Sequence, residues 1–148
     1  VISSSPISYP KTESLDLLVA LSQEACNKYY YALKKKGVLM VDTFMVKQAP
    51  TSHYVGLPFT TFAKERIGNP MTLNTIVLGA ITYLLPFADP KLMRKALEES
   101  LPPKIHEINI KAFNLGRNQA KREFGDFNEV WKEAAEGAEA LEDAEAME

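Results

Sequence analysis

Few residues of this 148-residue chain are of types that do chemistry: one cysteine, two histidines, an aspartate ending an apolar run, and amides inside apolar stretches. His53 and His106 are far apart in sequence and have no ligand-spaced partner, so they read as surface or hydrogen-bonded residues rather than a metal site. The single cysteine, Cys26, excludes an internal disulfide and a cysteine-ligated iron–sulfur cluster within this chain. It falls in the first turn of an expected helix, where the dipole could lower its pKa. The apolar contacts of that helix favour a structural thiol instead. Asp42 ends a run that reads as a parallel strand, the place where open α/β sheets put ligand residues; a loop-capping role is equally open to it. Asn74 and Asn109 either meet a partner or satisfy buried backbone groups. There is no Gly-x-Ser-x-Gly elbow and no phosphate loop with Gly-Lys-Ser/Thr. Residue chemistry alone names no catalyst.

The elements that must position these residues begin with a short expected strand at Val1-Ile2 and Ile7, bounded by Pro6 and Pro10. Ser14 to Leu21 is a continuous apolar run fitting a strand buried on both faces. Ser22 offers an N-cap, with Glu24 well placed in the first turn. The helix it starts is expected to run to Lys34-Lys35-Lys36 and stop at Gly37, with Ala25, Tyr29, Ala32 and Leu33 as its apolar stripe. Val38 to Val41 is a second buried strand, which completes a strand–helix–strand unit of a parallel sheet. His53-Tyr54-Val55 is an expected strand, and Thr60 or Thr61 an expected cap of a short helix through Ile67.

The run from Asn69 to Ala80 is the most informative stretch. Pro70 stands at a first helical position, and Gly68 ends the preceding helix. Leu73, Ile76, Val77, Leu78, Ala80, Ile81, Leu84 and Leu85 leave the helix apolar nearly all round, the mark of burial. Asn74 is then a buried amide in need of partners. Gly79 costs roughly 1 kcal/mol against alanine in mid-helix, and its expected purpose is to admit another backbone. Asp89-Pro90 starts the next helix, to about Ser100. A last long helix begins near Lys104, with Ile105, Ile108, Ala112, Leu115, Gly116 and Gln119 as its stripe.

Residues 1–125 hold 16 Lys and Arg against 10 Asp and Glu, while residues 126–148 hold nine acids against Lys132 alone, within a net charge of −2. The basic residues are scattered and match no nucleic-acid recognition motif, which argues against nucleic-acid binding. Met71 to Phe87 is the one membrane candidate. It is short of the roughly 20 residues of a span and carries Asn74, three threonines and Pro86, so it reads as a buried helix, not a membrane segment. The single cysteine and the absence of a secretory signal in the first ten residues lead to the expectation of a cytoplasmic protein.

Several pieces, in order, resemble one family. They are Ser5-Pro6-Ile7-Ser8-Tyr9-Pro10; Leu15 to Ala25 with Asp16, Val19, Ala20 and Leu21; Gly37 to Asp42; Asn69 to Ala80; and Glu107-Ile108-Asn109-Ile110-Lys111-Ala112-Phe113-Asn114-Leu115-Gly116. Over residues 3–120 the chain resembles the gamma subunit, or gamma domain, of the 2-oxoacid:ferredoxin oxidoreductases, the pyruvate, 2-oxoglutarate and ketoisovalerate group. The resemblance implies an α/β fold: a three-layer α/β/α sandwich with a largely parallel or mixed, Rossmann-like sheet. Residues 1–125 would form the gamma domain and 126–148 an acidic tail, helical or disordered. Family members open with a strand and a Gly-rich turn that this chain does not show. The gamma domain is therefore expected to be incomplete at its N-terminus, or to bury a sheet edge against a second copy or a partner.

The same resemblance implies the function. The complex cleaves a 2-oxoacid with thiamine diphosphate, passes electrons through iron–sulfur clusters to ferredoxin, and delivers the acyl group to coenzyme A. The pattern here is nearer the 2-oxoglutarate type than the pyruvate type. The cofactors lie in other subunits, so this chain is expected to bind none itself and to be inactive alone. Its implied partners are alpha, beta and ferredoxin-like subunits, with a homodimer open to it in isolation. Asn69, Asn74, Asn109 and Lys111 are the candidates for the subunit interface, because the resemblance is densest around them. The competing reading is a stand-alone α/β module for a nucleotide or coenzyme, carried by Asp42 and the basic body. The missing Gly-rich turn argues against it.

Overall fold

The computed structural model describes residues 14–134 together with Pro6, Thr12 and Glu136. The expected strand at Val1-Ile2 and Ile7 and the acidic run beyond Glu136 lie outside the described residues. Among the described residues three strands form an open parallel sheet in the order β1 (Leu15–Ala20), β2 (Leu33–Asp42), β3 (Val55–Leu57). Between the first two lies α1 (Gln23–Tyr29), opened as expected by Ser22, whose hydroxyl accepts from the Ala25 amide at 3.1 Å. Strand alternation divides the core in two. Leu18, Ala20, Leu39 and Val41 pack with Cys26 of α1 and Val46 on one face. Val38, Met40 and Leu57, with Leu17 and Val19, meet the later helices on the other. Helices thus cover both faces, and the protein is a three-layer α/β/α structure on a parallel sheet.

The helix expected to reach Lys36 stops earlier. It ends at Tyr29 and a 3₁₀ turn, Tyr30–Ala32, leads directly into β2. Tyr29 and Tyr31 are exposed, so the proposed helical stripe does not exist. Lys34, Lys35 and Lys36 lie instead on an exposed part of β2 where the register with β1 jumps from Leu15↔Leu33 to Leu17↔Val38. Lys34 bonds Asp16 at 2.7 Å there. Gly37 is a strand residue and not a helix stop. A side chain on it would come within 2.9 Å of the Leu15 carbonyl oxygen, so the β1 backbone itself requires glycine. The third strand begins at Val55, leaving His53 and Tyr54 exposed before it.

After β3, α2 (Phe59–Thr61) continues as a π-helical turn, Phe62–Ile67, which ends at Gly68 in the left-handed conformation (φ 77°). Neither Thr60 nor Thr61 caps this element; Pro58 holds the cap position. A 3₁₀ turn, Pro70–Thr72, leads into α3 (Leu73–Leu84). Next come α4 (Pro90–Ser100), capped by Asp89 as expected, and α5 (His106–Phe124), entered through the 3₁₀ turn Pro103–Ile105. The buried face of α5 is Asn109, Ala112, Phe113, Gly116, Gln119 and Ala120. It is rotated from the expected stripe, and Ile105 is exposed.

The chain is helical again over 127–134. Val130 is buried in the α3/α5 core, Trp131 donates its indole N–H to the Leu84 carbonyl at 2.9 Å, and Phe127 meets Tyr83 edge to face. The Tyr83 hydroxyl donates to the Gly125 carbonyl. Among the described residues no helix is long and apolar enough to cross a membrane.

Candidate functional site

Two regions bring together the residues singled out from sequence: the carboxyl end of β2 and the α3/α5 pair. At the first, Asp42 is fully buried. Its Oδ1 accepts from the Phe44 amide at 2.9 Å, and its Oδ2 accepts from the Thr60 amide at 2.9 Å and the Thr60 hydroxyl at 2.5 Å. The carboxylate shapes the turn after β2 and, from a distant strand, supplies the cap that Pro58 cannot give α2. Of the two roles open to Asp42, the structure shows the capping one, and this removes the main support for a nucleotide or coenzyme module. Gln23 clasps the same loop to α1, accepting from the Lys47 and Gln48 amides and donating to the Gln48 carbonyl at 2.7 Å.

Cys26 is buried at the base of this region, and burial pushes its thiol pKa up. The helix dipole does not prevail, and the thiol is structural. His53 is exposed beside Ser52, and His106 Nε2 lies 2.7 Å from the Leu101 carbonyl oxygen. Among the described residues no three His, Cys, Asp or Glu side chains are grouped to hold a metal ion. This donor set does not fit an iron–sulfur cluster.

At the second region, α3 and α5 cross in close backbone contact at Gly79 and Gly116. A Cβ on Gly79 would overlap the Phe113 carbonyl and come within 2.9 Å of the Arg117 nitrogen. One on Gly116 would overlap the Ile76 carbonyl. The close approach expected for Gly79 is present. One turn earlier on α3 and two turns earlier on α5, the Thr75 hydroxyl donates to Asn109 Oδ1 at 2.7 Å, and Asn109 Nδ2 donates to the Ile105 carbonyl at 2.9 Å. Asn109 is thus a buried amide with both ends used inside the chain.

The other interface candidates are placed differently. Asn69 caps the turn before α3, accepting from the Met71 amide at 3.0 Å. Asn74 is exposed, not buried, because it falls on the side of α3 turned away from α5; the amide that meets the core is Asn109. Lys111 is exposed and lines a groove of about 580 Å³ between α5 and the π-helical turn, with Arg66, Ile67, Ile110, Asn114 and Asn118. Asn74 is not part of that groove. Arg66, Asn114 and Asn118 are not among the residues the sequence singles out: a π turn has no hydrophobic period to announce where Arg66 points, and Asn114 and Asn118 are polar residues of α5 outside its expected apolar stripe.

Comparison with known proteins places this arrangement. Residues 1–119 match the pyruvate ferredoxin/flavodoxin oxidoreductase family. The 2-oxoglutarate synthase subunit KorC of Methanocaldococcus jannaschii is 38% identical over 126 residues, covering 82% of this chain and 67% of that protein. The gamma subunit of the keto/oxoacid ferredoxin oxidoreductase of Geobacter sulfurreducens superposes with a TM-score of 0.68 at 36% identity, covering 71% of this chain and 63% of that one. The 2-oxoglutarate:ferredoxin oxidoreductase of Magnetococcus marinus, solved with 2-oxoglutarate, coenzyme A and succinyl-CoA bound, shares the fold at a TM-score of 0.66 and 20% identity, over 80% of this chain and 22% of that one. The chain spans about two thirds of the length of its nearer relatives. Both the sequence match and the superposed fold say that this chain belongs to the pyruvate ferredoxin/flavodoxin oxidoreductase family.

Proposed function

We propose that this chain is the gamma component of a 2-oxoacid:ferredoxin oxidoreductase that acts on 2-oxoglutarate, and that it has no turnover alone. The observation that carries this reading is the 38% identity, over 82% of the chain, to a 2-oxoglutarate synthase subunit. In the reaction the bond between the carboxylate and the keto carbon breaks and carbon dioxide leaves. The acyl group is oxidised and joins the sulfur of coenzyme A, and ferredoxin takes the electrons. Thiamine diphosphate and iron–sulfur clusters supply the carbanion and redox chemistry. The described residues offer one buried thiol and no grouped ligands for a cluster, and in this proposal thiamine diphosphate and the clusters are held by other subunits. The chain's own share is a rigid α/β body with an outward surface at the N-terminal end of α3 and along α5. Asn74 and Lys111 face partner subunits, while Asn69 and Asn109 hold that surface in shape.

The test is reconstitution with the subunits encoded beside this gene. Reduction of ferredoxin or a viologen should require 2-oxoglutarate, coenzyme A and the whole set of subunits. Turnover by the isolated chain would overturn the division of labour, and failure to associate with a thiamine-dependent subunit would overturn the assignment. A clear preference for pyruvate would overturn the substrate.

A further inference from the structure

The groove beside α5 has a chemistry that the family assignment does not explain. Its floor is apolar, formed by Ile67 from the π-helical turn and Ile110 from α5. Its rim is cationic: Arg66 from the turn and Lys111 from α5 both line it, and neither has a carboxylate within salt-bridge distance among the described residues. Arg66 instead rests over the Phe62 ring, 5.2 Å from its centroid. Asn114 also lines the groove, and its Oδ1 already accepts from Arg94 at 3.1 Å, which leaves the amide NH₂ as its free polar group. Glu107 is the lone acid, at one end. A carboxylate is the group that the two cations and the free Asn114 NH₂ select, since each of these three groups offers N–H and no lone pair.

The groove also has a definite length. Glu107, Lys111, Asn114 and Asn118 recur at helical spacing along one face of α5, which at about 1.5 Å per residue is a track of roughly 16 Å. That matches three turns of a helix lying alongside. The rigid α3/α5 crossing fixes one wall, and the π turn, closed by Gly68, fixes the other.

We propose that this groove is the docking site for an amphipathic helix of a partner subunit, one that presents Asp or Glu to Arg66 and Lys111 and apolar side chains to Ile67 and Ile110. The charge pattern argues for this occupant: the free rim groups are cations and amide donors over an apolar floor, and Glu107 at one end sets the direction in which the acidic residues point. The proposal rests on the gamma-component reading, and its test separates the two.

The experiment uses the reconstituted complex, with a photo-crosslinking residue at position 118 in the groove or at position 91 on exposed α4. The expected result is a crosslink from position 118, not 91, to one subunit, on a peptide with acidic and apolar residues at helical spacing. In parallel, the double charge reversal Arg66→Glu/Lys111→Glu should weaken association at least tenfold at low salt while melting with the parent. Lys111→Arg should keep affinity, and Lys91→Glu should leave it unchanged. Association of the double reversal within twofold of the parent, or a crosslinked peptide without acidic residues, overturns the groove while leaving the gamma reading intact. Failure of the unmodified chain to associate overturns both, and is distinguished because no variant is needed to see it.

Discussion

Gly79 on α3 and Gly116 on α5 meet across the helix crossing so closely that a side chain on either would enter the backbone of the other helix. Helices usually pack 8–10 Å apart, at a distance set by the side chains at the contact, and here those side chains are absent. Alanine at a mid-helix glycine is intrinsically favourable by about 1 kcal/mol. The overlap with the Phe113 and Ile76 carbonyls opposes it, and backbone carbonyls cannot swing away. Gly79→Ala and Gly116→Ala should therefore each destabilise by about 1–3 kcal/mol in urea unfolding. The double variant should lose less than the sum, because one separation of the helices relieves both. Unchanged or raised stability in either single variant would show that the crossing yields without cost.

Asp42 joins β2 to α2 through the Thr60 amide and hydroxyl, and holds the turn after β2 through the Phe44 amide. Asp42→Ala leaves these part-buried donors without their acceptor and removes the cap. Unsatisfied buried groups cost about 1–3 kcal/mol each, so a loss of about 2–4 kcal/mol is expected in chemical denaturation. Thr60→Val, which removes the hydroxyl but keeps the amide bond, should cost less. Equal losses in both variants would mean that the hydroxyl, not the cap, does the work.

The raised pKa of Cys26 has a definite sign in its pH dependence. The buried thiol stays neutral where the unfolded one, with a pKa near 8.5, ionises. Its contribution is fully present below about pH 8.5 and is lost as pH rises towards the folded value, by about 1.4 kcal/mol per unit. Relative to Cys26→Ala, the parent should lose stability as the pH rises above the unfolded thiol's value, and iodoacetamide should label the native chain only as fast as it opens. Rapid labelling at neutral pH would place the thiol at the surface.

Much of this was readable in residue order, and the misreadings have physical causes. Ser22, Gly68, Asp89 and the proline starts mark their helices because caps and stops act locally. The Lys34-Lys35-Lys36 run suits a helix end by charge alone. It became strand because Gly37 lets β2 lie against the carbonyls of β1, a contact between elements that local chemistry does not show. The α3/α5 crossing was legible from one side, as a glycine that needed a reason. The groove was not, since Arg66 owes its place to π geometry.

Trp131 ties the helical segment 127–134 to the body by one hydrogen bond and a half-buried ring. Trp131→Ala removes both and leaves space beside Leu84. Full burial would put the loss at about 3–5 kcal/mol; for a partly exposed ring, about 2 kcal/mol is expected from the melting curve. Ending the chain after Gly125 should cost at least as much, since Val130 goes too. A chain ending after Glu136 keeps these contacts and should melt close to the parent. If it does not, residues beyond 136 also stabilise the body.

Asn74 and Asn109 share a side chain and differ in where it goes, and this separates folding from assembly. Asn109 is buried and hydrogen-bonded to Thr75 and Ile105, so Asn109→Ala leaves the Thr75 hydroxyl without its acceptor and empties a buried position on α5. A loss of about 1–3 kcal/mol in the isolated chain is expected. Asn74 is exposed, and surface substitutions away from special features stay within about 0.5 kcal/mol. Asn74→Ala should therefore melt with the parent. Its effect, if the N-terminal end of α3 faces another subunit, is confined to association, read as a faster off-rate from the complex by surface plasmon resonance. Parent-like melting and a parent-like off-rate together would remove Asn74 from the interface. Asn109→Ala should show the reverse order, with stability falling first and association falling only as the folded fraction does.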